Sequence, residues 1–259
     1  AKYTSTGTLT WANSFGGANM DVVNDIYFDG INDLYLTGYY EVATTIGSDA
    51  YTSNGETDFY IAKFDKDGVY QASFSGGGTE ADYGNTIVQD SQGWVFVGGD
   101  FQNTITIDGI DYVSKGGSDI FLLKLWKPSL VNVRATSTLP LETFLTFGSD
   151  DSNVDDYLTE TTNDTNGNIY LTGITSGTLP IEGFSTNVHN GVFIWKRHAD
   201  ASTIGLYSYS LNGYPYITRD NLGNVFLSTS IDTSTTIGGA FINIPSGTMS
   251  DILMRVRIN

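Results

Sequence analysis

The chain has 259 residues, with 29 aspartates and glutamates against 12 lysines and arginines, a net charge of −17, and no cysteine. That balance repels phosphate backbones, whose binding needs Lys and Arg to displace counterions, so no nucleic-acid partner is expected. Zero cysteine excludes disulfide, thiol-nucleophile and thiolate-metal chemistry. At 40% hydrophobic and 13% aromatic the composition suits a packed core rather than a disordered chain, and no run of about 20 apolar residues is present to insert into a bilayer as a helix.

Thirty glycines among many Thr, Ser, Asn and Tyr predict strands and tight turns with almost no helix, because β-branched and aromatic side chains fit a pleated surface and Gly and Asn tolerate positive φ. The first segment, AKYTSTGTLT, has no initiator Met and no signal-peptide core, and is read as the start of a processed or excised chain. Then comes a first complete unit. VVNDIYF (22–28) is predicted as a strand, the turn Asp29-Gly30-Ile31-Asn32-Asp33 reverses the chain, and Leu34–Tyr40 returns as a second strand. A patterned spacer (45–59) leads into a third strand, DFYIAKF (58–64). The turn DKDG (65–68) and a fourth strand, YQASFSGG (70–77), complete the unit.

The same pattern recurs three more times. The second strand reads LYLTG (34–38), VFVGG (95–99), IYLTG (169–173) and VFLST (225–229); the third reads DFYIAKF, DIFLLKL (119–125), GVFIWKR (191–197) and DILMRVR (251–257). From Gly38 to Gly99, Gly173 and Thr229 the steps are 61, 74 and 56 residues, a period that signals stacked units. Four antiparallel strands per unit make the meander of a propeller blade, which must bury its apolar faces on neighbouring blades. The expected fold is therefore all-β: a β-propeller of four-stranded antiparallel blades, four in number, forming one domain over 1–259. The blades are placed at 21–75, 84–147 and 157–211, with 9–15 completing 214–258. In that arrangement the N-terminal strand closes the last blade and leaves no unpaired edge. The alternatives are a fragment of a larger ring, or a ring shared by two copies. An insertion, KPSLVNVRATSTLP (127–140), is expected to protrude from one rim.

The run from Trp11 to Gly17 (W-x3-F-G-G), the I/L-Y-L-T-G strand and Asp58 to Gly68 (D-x-apolar-x-A-K-F-D-x-x-G) resemble the SBBP repeat, the β-propeller repeat of many bacterial and archaeal surface proteins. The resemblance is specific in the first two units. It weakens later, where Asp58 and Asp119 give way to Gly191, and Lys63, Lys124 and Lys196 to Val256. It implies the fold and an extracellular, cell-surface or virion-surface setting rather than a defined activity.

Catalytic signatures are missing. There are only two histidines, His189 and His198, without metal-ligand spacing, and there is no G-x-S-x-G elbow and no S-x-D-x-G-x-T-W turn of the sialidase kind. The densest set of hard oxygen ligands is Gly148–Asp156, where Asp150, Asp151, Asn153, Asp155 and Asp156 are candidates for Ca²⁺; as ordinary turn residues they need no ion. Tyr39, Tyr40, Tyr112, Tyr214 and Tyr216 are candidates for a binding face, where amphipathic rings would stack on sugars or a protein; filling of sheet surfaces explains tyrosines equally. Asn163-Asp164-Thr165 is a lone glycosylation sequon. The expected function is a non-enzymatic extracellular recognition or adhesion module that binds glycan or protein, without membrane insertion. The rivals are a structural subunit that assembles with copies of itself, and a glycan-processing enzyme.

Overall fold

The computed structural model describes residues 1–126, 141–151, 153–180, 188–197, 203–209, 211, 213–231, 235–237, 240–242 and 248–256. The insertion 127–140 lies outside them. Among the described residues there is no helix, and all the strand pairings are antiparallel.

An N-terminal hairpin of β1 (Lys2–Tyr3) and β2 (Leu9–Trp11) precedes four units. The first is β3 (Asp21–Phe28), β4 (Asp33–Ile46), β5 (Asp49–Asp65) and β6 (Tyr70–Gly78). The second is β7 (Asp82–Gln89), β8 (Trp94–Ile107), β9 (Ile110–Trp126) and β10 (Leu141–Phe147), and the third is β11 (Asp156–Asn163), β12 (Ile169–Leu179), β13 (Val188–Arg197) and β14 (Thr203–Tyr209). The fourth holds β15 (Tyr216–Arg219), β16 (Val225–Ile231), a short hairpin of β17 (Thr235–Ile237) and β18 (Ala240–Ile242), and β19 (Ser250–Val256). Each of the first three units is a four-stranded meander, and the fourth is ordered β15-β16-β19. The first two units join into one curled sheet where Gly77 and Gly78 of β6 pair with Thr106 and Ile105 of β8.

Turn chemistry repeats with the strands. In DKDG, DSQG, DTNG and DNLG the Asp opens a three-residue loop and the Gly takes the left-handed conformation, with φ of 82°, 94°, 82° and 79° at Gly68, Gly93, Gly167 and Gly223. This is the loop in which a type I turn is followed by a residue at positive φ. The spacers are a surprise: 45–59 and 106–120 are continuous arms of the β4/β5 and β8/β9 hairpins. Ala43–Ile46 pair with Thr52–Asp49, and Thr104–Ile107 with Val113–Ile110.

The core lies between units. Phe59 and Ile61 of β5 join Val97, Phe101, Phe121 and Leu123 of the second unit. Ile120 and Leu122 of β9 face the other way, onto Leu158, Leu171, Phe193 and Trp195 of the third, whose Val192 and Ile194 in turn meet Ile217, Val225 and Leu227 of the fourth. Third strands of the first three units therefore read as continuous apolar runs because both faces are covered, and the period of two sorts alternate side chains into different cores.

The N-terminal strand is not where the closure argument put it. Among the described residues β2 has a strand ladder with β1 alone, and it lies against the first unit: Lys2 Nζ and Trp11 Nε1 donate to Lys66 O at 3.0 and 3.1 Å, and Phe15 packs on Tyr60 and Phe64. The apolar face of β5 gives Phe15 its seat. No ladder joins β19 to the N-terminal hairpin or to β3 among the described residues.

Candidate functional site

Three first strands carry the same irregularity. The ladder shifts register between Val23 and Asp25, between Gly84 and Thr86, and between Leu158 and Glu160, so Asn24, Asn85 and Thr159 are bulged out as extra residues. Each bulged side chain reaches the backbone of the next unit's first strand: Asn24 Nδ2 donates to Gly84 O at 3.0 Å, Asn85 Nδ2 to Leu158 O at 2.9 Å and Thr159 Oγ1 to Pro215 O at 2.7 Å. One chain of hydrogen bonds thus runs along all four first strands. The bulge also presses the strand's carbonyl onto the landmark glycine. A Cβ on Gly38, Gly99 or Gly173 would sit 1.9, 1.8 or 2.1 Å from the oxygen of Val22, Tyr83 or Tyr157. β15 has no bulge, and the fourth unit carries Thr229 at that place.

Bulges re-aim the residue that follows. Asp25, Thr86, Glu160 and Tyr216 each stand four residues before the turn aspartates Asp29, Asp90, Asp164 and Asp220. Asp25 Oδ2 accepts from Thr86 Oγ1 at 3.2 Å and from Ile87 N at 2.7 Å, and Thr86 Oγ1 lies 2.7 Å from Thr161 Oγ1. Burial pushes the Glu160 carboxyl up to about 7, and the charge of Asp25 adds to the rise. Farther along the strands Tyr27 Oη and Asn163 Nδ2 both donate to Gln89 O, at 3.4 and 2.6 Å. Burial raises the Tyr27 phenol, while the Asn163 amide and the Arg219 guanidinium oppose the rise. Side-chain contacts thus link the first strands of successive units, β3 to β7 to β11, with acids and hydroxyls along the seam.

Tyr214 and Tyr216, each 61% exposed, stand on the fourth unit, just before and at the start of β15. The other candidate tyrosines serve packing. Tyr40 is buried with its hydroxyl 2.7 Å from Ser75 Oγ, Tyr112 packs on Phe144, and half-buried Tyr39 makes an edge contact with Tyr83. Tyr40 is held inside because its position faces the core shared with Tyr60 and Phe64.

The acidic loop is divided among separate partners. Asp150 pairs with Lys115 at 3.3 Å, Asp151 Oδ1 accepts from Asn153 N, Asp155 Oδ1 from Ser118 N, and buried Asp156 Oδ2 from Ser149 N. Asn153 is exposed. Among the described residues no three Asp, Glu or His gather as a metal-binding group. Of His189 only the backbone is described, and His198 lies outside the described residues. Asn163 of the sequon is buried with its amide nitrogen on Gln89 O, so the folded chain does not present it for glycosylation. Sequence reasoning missed Asp25, Thr86 and Glu160; their common distance from the turn aspartates was the available signal.

No family model matches the chain, and no curated protein matches it.

Proposed function

We propose that the four units form one four-bladed propeller, and that the chain is a non-enzymatic extracellular recognition module that takes a glycan at the mouth of the axis. The observation that carries this reading is the presence of two solvent-facing rings on the unit that follows half-buried carboxyls: Tyr214 and Tyr216 are each 61% exposed, and Tyr216 continues the positional series Asp25, Thr86, Glu160. Sugars are bound by ring faces that cover C–H groups and by carboxyls and hydroxyls that exchange hydrogen bonds with their hydroxyls. The likeness to SBBP repeats supports the surface setting. Ring closure rests on the meeting of β3, β11 and β15 at Tyr27 rather than on exchange of the N-terminal strand.

One observation favours an assembly subunit instead. On β3, Ile26 and Phe28 are exposed, and with Tyr3, Trp11 and Phe15 they line an apolar cavity of about 380 Å³; apolar patches of this kind mark contact surfaces. A glycan array probed with the full chain, with light scattering for mass, separates the two. The recognition reading expects saturable binding by a monomer, weakened at least tenfold in Tyr216→Ala and in Glu160→Gln. Silence on the array from a species several chains in mass would overturn it in favour of assembly.

A further inference from the structure

The junction between the first and second units contains two aspartates that their protein neighbours do not satisfy. Asp58, on the third strand of one unit, is 1% exposed, and Asp82, which opens the first strand of the next, is 0% exposed. Both flank the Gly77-Gly78 step. Asp82 Oδ2 accepts from Gly78 N at 2.6 Å, and Asp58 lies so close to Gly77 that a Cβ there would come within 2.4 Å of its carboxyl carbon. Asp58 Oδ2 accepts from the backbone and side-chain nitrogens of Asn54 at 3.2 and 3.3 Å. The Oδ1 atoms of both Asp58 and Asp82 are buried without a hydrogen-bond partner of good geometry, although the Gln102 backbone N–H also bears on the Asp82 carboxyl. An unpaired buried acceptor is costly, and a second buried carboxyl beside it multiplies the cost unless a proton or a cation is shared between them.

Part of the arrangement recurs one unit later, with both oxygens of the third-strand carboxyl accepting there. Asp156 is 0% exposed, its Oδ2 accepts from Ser149 N at 2.6 Å, and its Oδ1 has no partner of good geometry, although the Thr175 side chain also bears on this carboxyl. Asp119 of the preceding third strand lies against Gly148, where a Cβ would come within 1.9 Å of its carboxyl carbon. It accepts from Lys115 N and Gly116 N. Glycine at 77 and 148 is thus what leaves room for the third-strand carboxyl. At the first of these junctions a cleft of about 540 Å³, lined by Asn54, Gly76, Gly77, Gly78 and Thr79, opens the glycine step to solvent.

We propose that each of these two junctions binds one hard divalent cation of the calcium class, through Asp58 with Asp82 and through Asp119 with Asp156, and that the ion fastens the end of one unit to the start of the next. Carboxylate oxygens with backbone carbonyls and water make up the ligand set that Ca²⁺ takes. Burial drives Asp82 up to about 8, with neighbouring Asp58 adding to it, and Asp58 itself up to about 6; a bound cation would reverse both displacements.

The test is isothermal titration of chelator-treated full chain with Ca²⁺ and with Mg²⁺, read beside terbium luminescence and thermal melting. Two saturable Ca²⁺ equivalents and a raised melting temperature are expected, falling to one equivalent in Asp82→Asn and none in Asp82→Asn/Asp156→Asn, while Asp150→Asn keeps both. Absence of saturable uptake by the unaltered chain would overturn the proposal whether or not the variants fold. So would uptake that survives in the double variant, or that is lost in Asp150→Asn.

Discussion

At the hairpin turns, one carboxylate oxygen does the work of a backbone acceptor twice: Asp65, Asp90, Asp164 and Asp220 each take N–H bonds through Oδ1 from the residues two and four positions on. This is Asx-turn chemistry, and it was legible as D-x-x-G. The buried acids were not legible, because Asp58 and Asp82 look in sequence like any other turn-flanking aspartate and only packing removes their solvent. Burial pushes Asp82 up to about 8, Asp100 and Glu160 up to about 7 and Asp58 up to about 6. Their folded values exceed the ordinary carboxyl range, so the native chain holds more protons than the unfolded one between about pH 4 and pH 8. The stability these groups contribute is complete below about pH 4 and is lost as pH rises through the folded values. In chelator, the urea midpoint is therefore expected to fall from pH 5 to pH 9, with a shallower fall in Asp82→Asn. A midpoint that rises over that interval would contradict this assignment.

The bulged first strand is the element that organises the site. It makes the inter-unit hydrogen bonds through Asn24, Asn85 and Thr159, sets Asp25, Thr86 and Glu160 at one level, and demands glycine opposite it. The recurring glycine was visible in LYLTG, VFVGG and IYLTG, and its replacement by Thr229 looked like decay of the repeat. In the structure the β15 ladder ends at the Tyr216–Ser228 pair, one residue short of that threonine. Gly99→Ala is expected to destabilise by about 1–3 kcal/mol through overpacking against Tyr83 O, whereas Thr229→Gly should cost only about 1 kcal/mol through backbone freedom. Equal losses for the two in chemical denaturation would remove the bulge as the reason for the glycine. The long hairpin arms escaped sequence reading because Gly47 and the Asp108-Gly109 pair make tight turns inside what looked like spacer.

Across the whole molecule, apolar clusters lie between successive units, and the ladder of side-chain hydrogen bonds steps from β3 to β7, β11 and β15. The all-β class and the four strands of each of the first three units followed from periodicity. The place of the N-terminal segment did not, since the complementary-looking ends suggested a strand exchange, whereas Phe15 and Trp11 dock on the first unit. The end units keep exposed apolar residues, Ile26 and Phe28 on β3 and Leu253 on β19. Their fate depends on whether β3 and β15 are neighbours in solution. The most direct measurement is cross-linking of Tyr27→Cys/Arg219→Cys, in a chain that has no other cysteine, with a short bismaleimide at low concentration. A closed four-unit axis predicts an efficient link within one chain. Links only between chains, or none, from a correctly folded variant would mean an open array, and the axial site would have to be abandoned.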